Sequence, residues 1–374
     1  MIEGEMRFGY TTGACAAAGV MAALLFERGA PWDTVTFPAL DGTMLHIPIK
    51  TVKKVNDGIC VEVVKFSGDD PDITKDVSVF TTIRHIEGEV KFLAGKGIGI
   101  VTKKGLQVPV GEPSINPGPR KLIRQVIKDM TGVDGGFSVE ISIPAGIALA
   151  KQTLNPVLGV EGGLSVIGTT GVLRPMSEEG FKNSLVPQID VAREAGYDTL
   201  VFVPGNIGAR IAAAWVLPKG AIVETSNFIG FMLEKAAERG IKRTLLLGHI
   251  GKLAKVAAGV FYTHNRIADA RLETIAAYAA EAGLSMEKVG RLLATNTTED
   301  ALTILAEANL KDKVCARLAE RAGIRCERYL FGKMQVGIVM VTMTGEILGM
   351  NDTAREIGRR FHWKLADDKW EDVT

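Results

Sequence analysis

From residue 164 to residue 248 the chain repeats one pattern: a short apolar run, a loop of glycine and small polar residues, then a segment of helical character. The apolar runs are 164–168, 200–203, 222–225 and 244–248. The helical segments span 178–195, with Gly196 as a stop, or begin near Asn206, Asn227 and Ile250. Runs this short cannot be helices of ordinary length, and they lack the polar alternation of a strand with one wet face, so they read as buried strands. Strand and helix in strict alternation leave few folds open, because parallel strands need crossover connections and these are right-handed. A parallel α/β domain is expected over 151–374.

The preceding residues follow another rhythm. β-rich runs at 34–37, 44–49, 59–66, 77–83 and 137–143 alternate with turn residues and are interrupted by a single helix at 119–130. Strands with few interleaved helices indicate an α+β unit. A helix over 14–27, N-capped by Thr12, precedes it. Helical segments dominate 267–322, followed by strand-like runs at 327–331 and 336–344 with a turn signal at Thr344-Gly345. The expected organisation is an α+β domain over 1–150 followed by the α/β domain, in keeping with a length of 374 residues.

Charge narrows the function classes. Forty-four basic and 43 acidic side chains leave a net charge of +1, so no summed field exists to hold a nucleic acid. The uncharged stretch 8–26 resembles a membrane span or signal peptide, but Glu3 and Glu5 spoil a basic leader, and 14–26 is too short and alanine-rich to cross a bilayer. Four dispersed cysteines without a C-x-x-C pair fit a reduced, cytoplasmic chain. They read as small buried hydrophobes, with Cys15, at a helix start, a candidate for a depressed pKa.

In parallel sheets ligands bind beyond the carboxyl ends of the strands, where helix N-termini present free amides. Four loops would occupy those places: Gly168-Thr169-Thr170-Gly171, Pro204-Gly205-Asn206-Ile207-Gly208, Thr225-Ser226-Asn227 and Gly248-His249-Ile250-Gly251-Lys252. Any one is an ordinary turn; four in register suggest a cleft for a nucleotide-like ligand. Neither G-x-G-x-x-G nor the P-loop sequence is present in that context, which weakens nicotinamide and ATP chemistry.

Other motifs keep two readings each. Tyr10-Thr11-Thr12-Gly13 could hold a carboxylate at a helix N-terminus or simply cap the helix. Gly68-Asp69-Asp70-Pro71-Asp72 is either a cation site lacking the EF-hand glutamate or an acidic turn. Arg120, Lys121 and Arg124 gain nothing from the start of a helix and either bind an anion or form a solvated face. His249 and His264 lack a third zinc ligand at recognisable spacing; His249, at a strand end, is a candidate for acid–base duty or a satisfied structural histidine.

Several of these segments together resemble the CbiD family, the cobalt-precorrin-5B (C1)-methyltransferases of anaerobic cobalamin synthesis. They are GYTTGACAAA from Gly9, GDDPD from Gly68, GKGIGIVTKKGLQVPVGEPSINPGPR from Gly95, GVEGGLSVIGTTGVLRPMSEE from Gly159 and LLLGHIGKLAKVAAGVFYTHNRIADARLE from Leu245. The resemblance implies methyl transfer from S-adenosyl-L-methionine to C1 of the deacylated cobalt-corrinoid ring, giving cobalt-precorrin-6A and S-adenosylhomocysteine. It implies a Rossmann-like, methyltransferase-like second domain binding the donor through Gly168, Thr169, Thr170, Gly171, Gly205, Asn206, Gly208, Ser226, Asn227 and Gly248. Glu224 is the candidate for the ribose, although the acidic pattern usual for that cofactor is missing. The first domain becomes the corrinoid-contacting part. The ring's carboxylates are expected on Tyr10, Thr11, Thr12, Gly13, Arg120, Arg124, Lys151, Arg174 and Lys252, with His249 or His264 orienting the ring or accepting a proton. Cobalt arrives with the tetrapyrrole substrate, so no protein-borne metal, nucleic acid or membrane is expected, and a homodimer is left open. The competing readings are a nicotinamide-dependent oxidoreductase of the same ring and a non-catalytic corrinoid carrier.

Overall fold

The computed structural model describes residues 6–215 and 217–361. The expected domains run beyond them at both ends, and those ends lie outside the described residues. The chain forms two compact units, Met1–Glu179 and Gly180–Thr374. The expected division at 150/151 falls too early, because 160–173 pairs with the first unit: Val160–Glu161 with Ile100–Val101, and Val172–Leu173 with Gly9–Tyr10.

In the first unit the helix Thr12–Glu27 packs against the strands Gly58–Val64 and Ser78–His85 and against the helix Pro117–Thr131. Covered from several sides, it is buried over most of its surface, which is why alanine and glycine fill it in place of an amphipathic pattern. The sheet has the order Thr51–Val55, Gly58–Val64, Ser78–His85, Phe137–Ser142, Lys91–Ala94; its pairs are antiparallel except the last. Gly58–Val64 alternates buried and half-buried positions, as a strand packed on one face requires. A hairpin of Thr34–Pro38 and Met44–Pro48 completes the unit.

The second unit holds four parallel strands and one antiparallel edge strand, in the order Ile222–Glu224, Thr199–Val203, Arg243–His249, Gln335–Val341, Ile347–Met350. Three of the expected strands and the helices that follow them, Asn206–Ala214, Ile229–Glu238 and Ile250–Ala257, lie where the sequence places them. Residues 164–168 belong to no strand of this sheet. Residues 327–329 close the helix Lys311–Tyr329, and the expected helix 178–195 is two helices, Glu178–Leu185 and Pro187–Glu194, the second opening on its proline.

Candidate functional site

Removing 164–168 from the parallel sheet makes Thr199–Val203 its first strand. The second strand, Ile222–Glu224, pairs on one side of it and the third, Arg243–His249, on the other. The strand order therefore reverses beside Val203, the kind of place at which open parallel sheets bind ligands between loops leading to opposite faces. Gly205 has φ 101°, a conformation that favours glycine, and begins the helix Asn206–Ala214, which has no side-chain cap. Gly208 lets that helix approach the sheet: a side chain there would meet the Leu247 carbonyl oxygen at 2.8 Å. Glu224 now ends the second strand, in register with Val203, and is half-buried as a residue.

The other loops converge on the same place. A side chain at Gly248 would press on Pro204. Lys252 Nζ lies 3.3 Å from the Cβ position of Gly205 and donates to the Ser226 carbonyl at 3.4 Å. Ser226 sits at φ 51°, strained for a residue with a side chain. Thr225 is fully buried, its amide bonded to the Val203 carbonyl, and its hydroxyl has no partner among the described residues. The Asn227 carbonyl accepts from the Thr263 amide, and Phe228 stacks on Tyr262. These contacts bring His264 to the neighbourhood of the Ser226-Asn227 loop; its Nδ1 accepts from the Arg266 amide.

His249 is committed elsewhere. It caps the helix Ile250–Ala257 by accepting the Gly251 amide on Nδ1, which leaves the proton on Nε2, 3.0 Å from Glu299 Oε1. Both nitrogens are engaged, so the structural role is the one seen. Lys255, which the sequence reading passed over, is buried and donates to the Thr263 and Ala268 carbonyls and to Asn265 Oδ1. The THN segment thus wraps an ammonium, and only a lysine inside an apolar helix face hinted at it. Burial first, and then the Lys255 charge, hold Lys252 below the ordinary lysine range.

Gly168-Thr169-Thr170-Gly171 lies in the first unit, which corrects its assignment to the row of parallel-strand loops. The Gly13 amide donates to the Ile167 carbonyl, the Thr11 amide to that of Gly171 and the Leu40 amide to that of Thr170. The two Thr-Thr-Gly segments are parts of one structure. Thr11, rather than Thr12, caps the helix, accepting the Ala14 amide. Tyr10 is buried, donates to the Val64 carbonyl and is pushed up to about 12 by burial. Burial likewise pushes the Cys15 thiol up to about 12, which corrects the expectation of a depressed value.

The acidic turn is divided among separate partners. Asp69 binds the Arg7 guanidinium and amide, Asp70 accepts the Met176 amide and Asp72 pairs with buried Lys65. Among the described residues no group of three or more His, Cys, Asp or Glu could hold a metal.

One face of the helix Pro117–Thr131 buries Leu122, Ile123, Val126 and Ile127, and the opposite face borders a cleft of about 510 Å³ with Arg120, Lys121, Arg124 and Lys128 in its wall. Arg120 is held by Glu112 at 2.7 Å and by the Pro113 and Ile115 carbonyls, and Arg124 by Asp134 and the Val90 carbonyl. Lys121 and Lys128 are exposed and face the cleft unpaired among the described residues. Lys151 is exposed, and Arg174 lies 3.7 Å from Asp41; neither lines this cleft.

Family models match a stretch of each unit: CbiD over residues 2–175, and CbiD, C-terminal domain, over 262–352. A protein of Moorella thermoacetica is 46% identical, across 94% of this chain and 97% of its own length. One of Desulfitobacterium hafniense is 42% identical, across 97% and 94%, and one of Methanocaldococcus jannaschii 44%, across 92% and 96%. Each is named cobalt-precorrin-5B C(1)-methyltransferase. A crystal structure of a cobalamin biosynthesis protein (CbiD) from Archaeoglobus fulgidus is 20% identical, covers 75% of this chain and 85% of its own, and gives a TM-score of 0.38; it adds nothing to the assignment. The chain belongs to the CbiD family.

Proposed function

We propose that this chain is a C-methyltransferase that moves the methyl group of S-adenosylmethionine to C1 of cobalt-precorrin-5B, giving cobalt-precorrin-6A and S-adenosylhomocysteine. The enzyme class rests on near full-length relatives carrying that name. The placement of the donor rests on one observation, the reversal of strand order beside Val203, where the loops suit an adenosine-bearing ligand. Gly205 gives the tight turn, Gly208 the close helix–sheet approach, and Glu224, about twenty residues on at the end of the adjacent strand, an acceptor pair for ribose hydroxyls. On this reading the second unit is a methyltransferase-like, Rossmann-like domain, which the reversal of its parallel strand order supports. Ser226, Asn227 and Gly248 shape the rest of its mouth.

A sulfonium donor supplies an electrophilic methyl group, so the protein needs no strong nucleophile of its own. Its residues must hold donor and ring in line and keep water away. The acidic ring is assigned to the first unit, where Lys121 and Lys128 offer unpaired cations beside apolar cleft wall, with Arg120 and Arg124 shaping it. Tyr10, Thr11, Thr12, Gly13 and the Gly168–Gly171 loop then serve to brace that unit. His264 is the remaining candidate for orienting the ring or taking a proton. The cobalt is part of the substrate. An oxidoreductase or a carrier finds no support in relatives named as methyltransferases.

The test is mass spectrometry of the ring after incubation with cobalt-precorrin-5B and trideuteromethyl-labelled S-adenosylmethionine. The reading expects the ring to gain one labelled methyl. A ring of unchanged mass, with or without oxidation of added NADPH, contradicts it.

A further inference from the structure

Lys252 stands out beside this reversal of strand order. It is a cation at the meeting point of three loops, and among the described residues its only hydrogen bond is to the Ser226 carbonyl at 3.4 Å, with no carboxylate beside it. Nearby charges add no compensation, since the closest buried group on its own helix is the Lys255 ammonium, already satisfied by three oxygen acceptors. A partly buried ammonium with one long hydrogen bond is costly unless an anion completes it. The surroundings can also receive an anion. The helix Asn206–Ala214 starts against Lys252 Nζ with its first amides uncapped by any side chain. Independently of that helix, Thr225 is completely buried and its hydroxyl is unpartnered, although its own amide is tied to Val203, the residue leading into the Gly205 turn.

We propose that Lys252 fixes the carboxylate of the donor's amino-acid tail, with the open amides of Asn206 and Ile207 as further donors. This rests on the reading of this place as the donor site and changes the role of Lys252, which the sequence had placed with the substrate. A small, fixed anion suits the position better than a macrocycle does, because the ammonium lies against Gly205 and Ser226, between the two loops that cradle the nucleoside.

The experiment is calorimetry on the full chain with two probes, S-adenosylhomocysteine and 5′-methylthioadenosine, which shares the adenosine thioether but lacks the amino-acid tail. The wild-type protein should prefer S-adenosylhomocysteine. Lys252→Gln should weaken that ligand about tenfold or more while leaving 5′-methylthioadenosine within about twofold, as expected for loss of one charge-assisted contact. Lys252→Arg, which keeps a cation, should retain most of the preference and shows that the site tolerates change at this position. Equal losses for both probes in Lys252→Gln, or no loss for either, would overturn the assignment while leaving the donor site in place. If the wild-type protein binds neither probe, the donor reading itself fails.

Discussion

At the scale of single residues, the GDDPD turn shows how one motif can be spent on structure. Asp72 and Lys65 form an ion pair at 2.7 Å, and the lysine side chain is only 2% exposed. Burial pushes the Asp72 carboxyl up, but the bonds from Lys65 and from Thr74 outweigh it, and the net direction is down. A carboxyl whose folded pKa lies below its unfolded value of about 3.9 stabilises the fold above that value, and the contribution is lost as pH falls through the folded pKa. Asp72→Asn, which leaves the Lys65 ammonium buried without its counter-charge, should cost about 3 kcal/mol at neutral pH by denaturant titration. The deficit should shrink as the pH drops below about 4; a deficit that persists unchanged into acid would mean that packing, not the charge, is at stake. The sequence left this motif between cation site and acidic turn, because the partners Arg7, Lys65 and Met176 lie on three different segments.

At the scale of elements, the helix Pro117–Thr131 makes the most direct link between pattern and function. Its apolar positions recur at helical spacing and face the core, which leaves Lys121, Arg124 and Lys128 together on the other side. The two arginine positions expected to grip the ring are bound internally, so the test belongs to the lysines. Lys121→Glu with Lys128→Glu should leave the melting temperature nearly unchanged, since both are exposed, and should weaken corrinoid binding at least tenfold in a spectroscopic titration. Unaltered affinity would remove this cleft from the substrate site.

Elements also show what could be read in advance. The strands at 199–203, 222–224 and 243–249 were legible because a short, mostly apolar run between glycine-rich loops fits a buried strand of an α/β unit. Residues 164–168 carry the same local signature, yet hydrogen-bond to Ser114, Gly97 and the helix start at Thr12 and Gly13. Which partner an extended segment chooses is decided by contacts far away in sequence. The strands Thr51–Val55 and Lys91–Ala94 were missed for a different reason: exposed lysines break the apolar alternation.

At the scale of the molecule, we propose that the two units divide the work that the chemistry demands. Correcting the position of 164–173 does more than move a boundary. It turns Glu224 from a residue one strand too late into the one at the end of the second parallel strand, and it makes the loop from Pro204 to Gly208 the first loop of the sheet. Under the proposed function Glu224 is the acidic partner of the donor's ribose, at the end of the strand next to Val203. No helix among the described residues is long and apolar enough to cross a membrane.

The central claim is that the methyl donor occupies the point where the parallel strand order reverses. A crystal structure of the protein soaked with S-adenosylhomocysteine tests it most directly. The account predicts ligand density bounded by Gly205, Glu224, Ser226 and Lys252. Density against Thr169 and Thr170 in the first unit, with the place beside Val203 empty, would contradict it.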